Sequence, residues 1–158
     1  MVHYPAENKE RQTDRKPGQR IEALLDAYPS IQIEPMGNSM YPMMLPGRDK
    51  AILKKADGSK LKKGDVVLYR RDNGMLVLHR LAHCRPEGLY LVGDNQSELE
   101  GPLQREQIKG VLTAFIRKGR CIKATNPIYR TAALLWLVLL PIRTPLHRIL
   151  AFFRGDKR

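Results

Sequence analysis

The chain has little of what marks several broad protein classes. Among 158 residues there are two cysteines, Cys84 and Cys121, and neither belongs to a C-x-x-C pair. That spacing excludes a disulfide framework and predicts two isolated, buried, reduced thiols. The first 20 residues are polar and charged, with no apolar run of the kind a secretory signal carries, so export by that route is not expected. No long hydrophobic stretch is present either. The longest, Ala132–Leu140, is nine residues, or about 14 Å as a helix, against the roughly 20 residues a bilayer core requires. There is no β-α-β rhythm and no internal repeat, which excludes parallel α/β architectures and solenoids.

Acidic residues are also scarce in one region. The formal charge is +12, and residues 117–158 hold ten Lys/Arg against one Asp/Glu. Residues 21–116 are nearly neutral, with thirteen against twelve, and residues 1–20 carry five against three. The basicity therefore belongs to the tail, beside its greasiest segment. That pairing favours an anionic membrane surface over a nucleic-acid groove, and nucleic acid is not an expected partner.

What is present reads as one domain with appendages. Residues 1–20 read as a flexible basic arm, 21–120 as the body and 121–158 as a helical tail. Ile21, Leu24, Leu25 and Tyr28 recur at helical spacing and predict a short amphipathic helix. Ile31–Ile33, Ala51–Leu53, Val66–Arg70, Met75–Cys84, Leu89–Val92 and Gly110–Ile116 read as short strands. Asp57-Gly58 marks a turn, and Asn73-Gly74, where both residues tolerate positive φ, is a strong hairpin signal. The fold class is mainly β, an antiparallel meander. In the tail, Asn126-Pro127 is a helix start, with Pro141 interrupting and Thr144-Pro145 opening a second helix that Gly155 could cap. These helices either pack on the body or form an oligomer contact, or they make an interfacial or re-entrant hairpin over 127–154 with basic residues among headgroups.

Three short elements carry chemistry. Ser39 lies in Gly-Asn-Ser-Met-Tyr-Pro (37–42), where Gly37 lets the backbone approach closely and Pro42 stiffens the exit. The amides of Asn38 and Ser39 could face a developing oxyanion there. A serine hydroxyl needs a neighbouring base, and His79 on the strand Met75–Cys84 is a candidate that works near neutrality. Strand alternation puts His79 on one face and Arg80 on the other. Asp94, in Gly93-Asp94-Asn95 at a strand end, could orient an imidazole or form an Asx-turn. His79, His83 and Cys84 invite a zinc reading, but no fourth ligand stands at a familiar spacing, so neither metal nor cofactor is expected.

The order Gly-x-Ser-Met-x-Pro (37–42), Leu-Pro-Gly-x-Asp (45–49), Lys-Lys-Gly-Asp-Val-Val (62–67), His-Arg (79–80), Gly-Asp-Asn (93–95) and Lys-Gly-Val-Leu (109–112) resembles the signal peptidase I/LexA-like superfamily of serine peptidases. The resemblance covers roughly residues 35–116. It implies coiled antiparallel β-sheets and a serine endopeptidase of the Ser/His type, acting on leader or signal-like peptides. Ser39 would be the nucleophile and His79 the base. Asp94 matches one acid of that type, and Glu98 or Glu100 falls near a second. Two features depart from the family: signal peptidases generally carry a membrane helix just before the serine, and self-cleaving repressors carry an Ala-Gly or Cys-Gly pair that is missing upstream of Ser39. The alternative is an inactive, membrane-docked peptide-binding module. Basic residues flanking the apolar segment point to the cytoplasmic face by the positive-inside tendency.

Overall fold

A computed structural model describes residues 17–57 and 60–143. Helix α1 (Pro17–Ala27) precedes eight strands: β1 (Ile31–Ile33), β2 (Asp49–Lys55), β3 (Val66–Arg70), β4 (Leu76–Arg85), β5 (Gly88–Val92), β6 (Glu100–Leu103), β7 (Ile108–Arg117) and β8 (Arg120–Lys123). Helix α2 (Pro127–Val138) follows. The strands form one antiparallel sheet in the order β1-β2-β7-β3-β4-β5-β6, with β8 pairing the end of β7. The chain is therefore mainly β, as its alternating apolar pattern predicts, and the sheet is not closed into a barrel.

Helix α1 takes in the last four residues of the expected arm, 17–20, because Pro17 suits a first helical position with its φ already set. Leu25 is buried, and Ile21, Leu24 and Tyr28 pack beside it. Between β3 and β4 the chain turns through residues 71–75. Gly74 has φ +84 and its amide donates to the Arg71 carbonyl at 2.8 Å, while Asn73 stays out of the left-handed region. The turn is thus a tight turn closed by one left-handed glycine, not the two-residue form that Asn-Gly predicts. Gly58, the other expected turn glycine, lies outside the described residues.

β3 lies between β7 and β4, and Val66, Val67, Leu68 and Tyr69 are all buried. Its register pairs Val67 with His79 and Tyr69 with Val77, so Tyr69 and His79 are diagonal neighbours on one face. Cys84 and Cys121 are exposed, against the expectation of buried thiols. Cys84 sits one residue from the end of β4 and Cys121 in β8, a four-residue strand paired only with the end of β7.

Asn126 caps α2 through Oδ1, which accepts the Tyr129 N–H at 3.1 Å, and Pro127 follows as the first helical residue. The backbone is helical again over 140–143. The second tail helix expected from Thr144 lies outside the described residues, as does the arm over residues 1–16. No helix among the described residues is long and apolar enough to cross a membrane.

Candidate active site

Ser39 stands in a compact loop anchored from below. Met40 and Met44 are 3% and 1% exposed in the main core cluster, and burying each contributes about 1.5–3 kcal/mol. The Met44 N–H donates to the Met40 carbonyl at 2.7 Å, and the Tyr41 N–H to the Asn38 carbonyl at 3.1 Å. Downstream, Asp49 accepts from the Leu45 amide, from Arg48 and from Arg117, while Arg117 also donates to the Met43 carbonyl at 2.6 Å. Burial opposes the charge on Asp49, but the two guanidinium groups and the Leu45 amide outweigh it and hold the carboxyl at about 2. Ser39 itself is partly exposed. The amides of Asn38 and Ser39 donate to no acceptor among the described residues, which leaves them free for an incoming oxygen.

His79 is 2% exposed. It lines, with Ser39, a cavity of about 490 Å³ whose other walls include Ile33, Met36, Met40, Leu68 and Leu78. No hydrogen bond joins Ser39 to His79 among the described residues. The imidazole Nδ1 lies 3.1 Å from the Tyr69 hydroxyl and 3.7 Å from Glu100 Oε2. Tyr69 donates its proton to Glu100 Oε2 at 2.5 Å, and Arg71 holds both carboxylate oxygens at 2.6 Å. Burial drives the imidazole down from 6.5 to about 4, against the opposing pull of the Glu100 charge. Burial also works to raise Glu100, yet hydrogen bonds from Arg71 and Tyr69 prevail and keep it below the ordinary carboxylate value. The same site therefore holds a neutral imidazole and an ionised carboxylate near pH 7.

Asp94 is elsewhere. Fully buried, it makes a bidentate pair with Arg80, 2.7 Å from Nε to Oδ1 and 2.7 Å from the terminal nitrogen to Oδ2. Arg80 also donates to the Gly64 carbonyl at 2.8 Å. The pair fastens the Gly93–Asn95 turn, whose Asn95 N–H donates to the Ser39 carbonyl at 2.8 Å. Any side chain at Gly93 would come within 2.7 Å of that same carbonyl oxygen, so glycine is required there for close approach. From the far side, Trp136 Nε1 donates to the Asp94 carbonyl at 2.7 Å. Arg143 donates to the Asp94 and Gln96 carbonyls at 3.2 and 3.1 Å and to the Trp136 carbonyl. Glu98 is exposed.

The fold thus gathers Ser39, His79 and Glu100 and assigns Asp94 to the support beneath the serine. Tyr69 and Arg71 join the site without having been singled out from sequence. A tyrosine inside the apolar run Val66–Tyr69 is itself a signal, since a buried phenol needs a hydrogen-bond partner. His83 is only half-buried, Cys84 is exposed, and no group of three or more possible metal ligands exists among the described residues. No protein-family model matches the chain, and no curated protein matches it.

Proposed function

We propose that the chain is a serine endopeptidase resembling signal peptidases, with Ser39 as nucleophile, His79 as general base and Glu100 as the supporting carboxylate. The observation that carries this reading is the shared cavity: Ser39 and a buried, neutral imidazole line one apolar hollow, with an ionised carboxylate 3.7 Å from the imidazole Nδ1. In the reaction, Ser39 Oγ attacks a peptide carbonyl carbon as its proton passes to His79 Nε2. The oxyanion is held by the Asn38 and Ser39 amides, each worth about 3–4 kcal/mol in comparable sites. Collapse breaks the C–N bond, the imidazolium gives its proton to the leaving amine, and water hydrolyses the acyl-enzyme by the reverse proton path.

The apolar walls favour a leader- or signal-like peptide that lays an aliphatic side chain against Met36, Met40 and Leu78. Such a substrate fits a protein held at the surface of a membrane through its basic tail, on the cytoplasmic face, without crossing it. The test is covalent labelling of the full chain by a serine-directed phosphonate. Labelling should map to Ser39 and vanish in Ser39→Ala and in His79→Ala. Undiminished labelling of either variant sinks the assignment.

A second reading has one observation in its favour, the missing hydrogen bond between Ser39 and His79. In it the hollow binds peptides without cutting them. That module would bind an apolar peptide, leave it intact and take up no phosphonate.

A further inference from the structure

We infer that Tyr69 is a positioning residue that fixes the tautomer of His79, its hydroxyl polarised by Glu100 so that the imidazole carries its proton on Nδ1 and presents a bare Nε2 to the cavity it shares with Ser39. The inference rests on the peptidase reading only for its purpose, because the proton arrangement follows from donors and acceptors alone. An ionised carboxylate can only accept. Glu100 has Arg71 on both oxygens and the Tyr69 hydroxyl 2.5 Å from Oε2, so the single phenolic proton must lie on the Tyr69–Glu100 line. The Tyr69 oxygen then has lone pairs but no proton to offer His79. At 3.1 Å from Nδ1 it is an acceptor, and a neutral imidazole satisfies it only by holding its proton on Nδ1.

The reverse arrangement would need a proton on Glu100, and the two hydrogen bonds from Arg71 oppose that. A direct Glu100–His79 bond is not formed, since Nδ1 stands 3.7 Å from Oε2 and lies nearer the Tyr69 hydroxyl, at 3.1 Å. The nitrogen left over, Nε2, has no hydrogen-bond partner among the described residues. Tyr69 is also held rigidly: it is fully buried, lies in the middle of the sheet and sits diagonal to His79 in the β3–β4 register. Its ring centroid is 5.7 Å from the imidazole. The hydroxyl is therefore placed by the strand and not by a flexible loop. A base held in the wrong tautomer can lower turnover by up to about 10⁴, so this arrangement has a measurable consequence.

The experiment is nitrogen NMR of the full chain labelled in its histidines, near pH 7, with the His79 signals assigned from the His79→Ala spectrum. Wild type should show a protonated Nδ1 and an unprotonated Nε2. In Glu100→Gln the amide nitrogen can donate to the phenol oxygen, turning the Tyr69 proton toward Nδ1, so the Nε2–H form should become the major one. In Tyr69→Phe the preference for Nδ1–H should be lost, and phosphonate labelling of Ser39 should slow at least tenfold. An Nε2–H tautomer in wild type overturns the inference. So does an Nδ1–H tautomer that persists in the folded variants, and if Tyr69→Phe does not fold then Glu100→Gln decides alone. The peptidase reading fails separately: a wild-type Nδ1–H tautomer without any labelling of Ser39 would leave the positioning role standing and remove the reaction.

Discussion

A histidine buried to 2% exposure is a base only because it remains uncharged. With its pKa driven down to about 4 by burial, His79 is neutral from mildly acidic pH upward. Phosphonate labelling of Ser39 should therefore rise with pH through about 4 and lie flat from pH 5.5 to 7.5. A midpoint near the ordinary 6.5 would mean that the group controlling Ser39 is not this imidazole. The same depression sets a stability window. Between about 4 and 6.5 the unfolded chain binds a proton at this position and the folded chain does not, so stability falls as pH drops through that interval. The full loss is about 3 kcal/mol, read as the part of the urea-midpoint change between pH 7 and pH 4 that is missing in His79→Leu. Pairing Ser39 with His79 was possible from sequence because a hydroxyl and an imidazole are recognisable residue types at a recognisable spacing, and the two do line one cavity. Which carboxylate stands nearest His79 was not legible, since Asp94 and Glu100 both lie within reach along the chain. Strand alternation held part of the answer: His79 and Arg80 face opposite ways, Arg80 pairing with Asp94 and His79 meeting the Tyr69 hydroxyl that is bonded to Glu100.

Among the elements, the turn Gly93–Asn95 is where stability and site meet. Removing Asp94 leaves the fully buried Arg80 guanidinium unpaired, and breaking a buried pair from one side costs about 3–5 kcal/mol. Asp94→Ala should lose that much in urea denaturation, whereas Arg80→Met combined with Asp94→Leu should recover a large part of it. A loss in the single variant below 1 kcal/mol would contradict the buried pairing. Because Asn95 holds the Ser39 carbonyl, Asp94→Ala should also slow labelling without moving its pH midpoint, which belongs to His79. The elements themselves differ in how openly the sequence declares them. β3, β4 and β7 carry long β-branched and apolar runs. β6 (Glu-Gly-Pro-Leu) hides behind Gly101 and Pro102, which argue against a strand, and it survives because it is the edge strand beyond β5, where a missing N–H is tolerated. β8 is short, with only Cys121 and Ile122 between Arg120 and Lys123, and its hairpin turns through Lys118 and Gly119, which both take positive φ, +49 and +76, between the paired Arg117 and Arg120.

At the scale of the whole molecule, α2 and the helical turn 140–143 that follows it have two unlike sides. Ala133 and Leu137 are buried, and Trp136 and Arg143 bind the turn beneath Ser39. The other side leaves Ile128, Leu135, Val138 and Ile142 exposed, Val138 by 70%, at intervals of seven, three and four residues that form one helical stripe. On the proposed membrane-surface reading, this apolar stripe in the most basic third of the chain would meet anionic lipid with the helix in the interface plane, since twelve residues reach only about 18 Å. The expected outcome is that the full chain floats with vesicles containing anionic lipid and stays behind with purely zwitterionic ones. Raising salt should weaken the binding, since basic residues beside an anionic surface act within a Debye length. Leu135→Glu with Val138→Glu should abolish flotation while leaving the urea midpoint near wild type, because neither side chain is buried against the sheet. Flotation that survives this double change would assign binding to charge alone. Flotation absent in wild type would make the stripe a contact for protein instead, and analytical ultracentrifugation of the same two chains would then show a dimer that the glutamates dissolve.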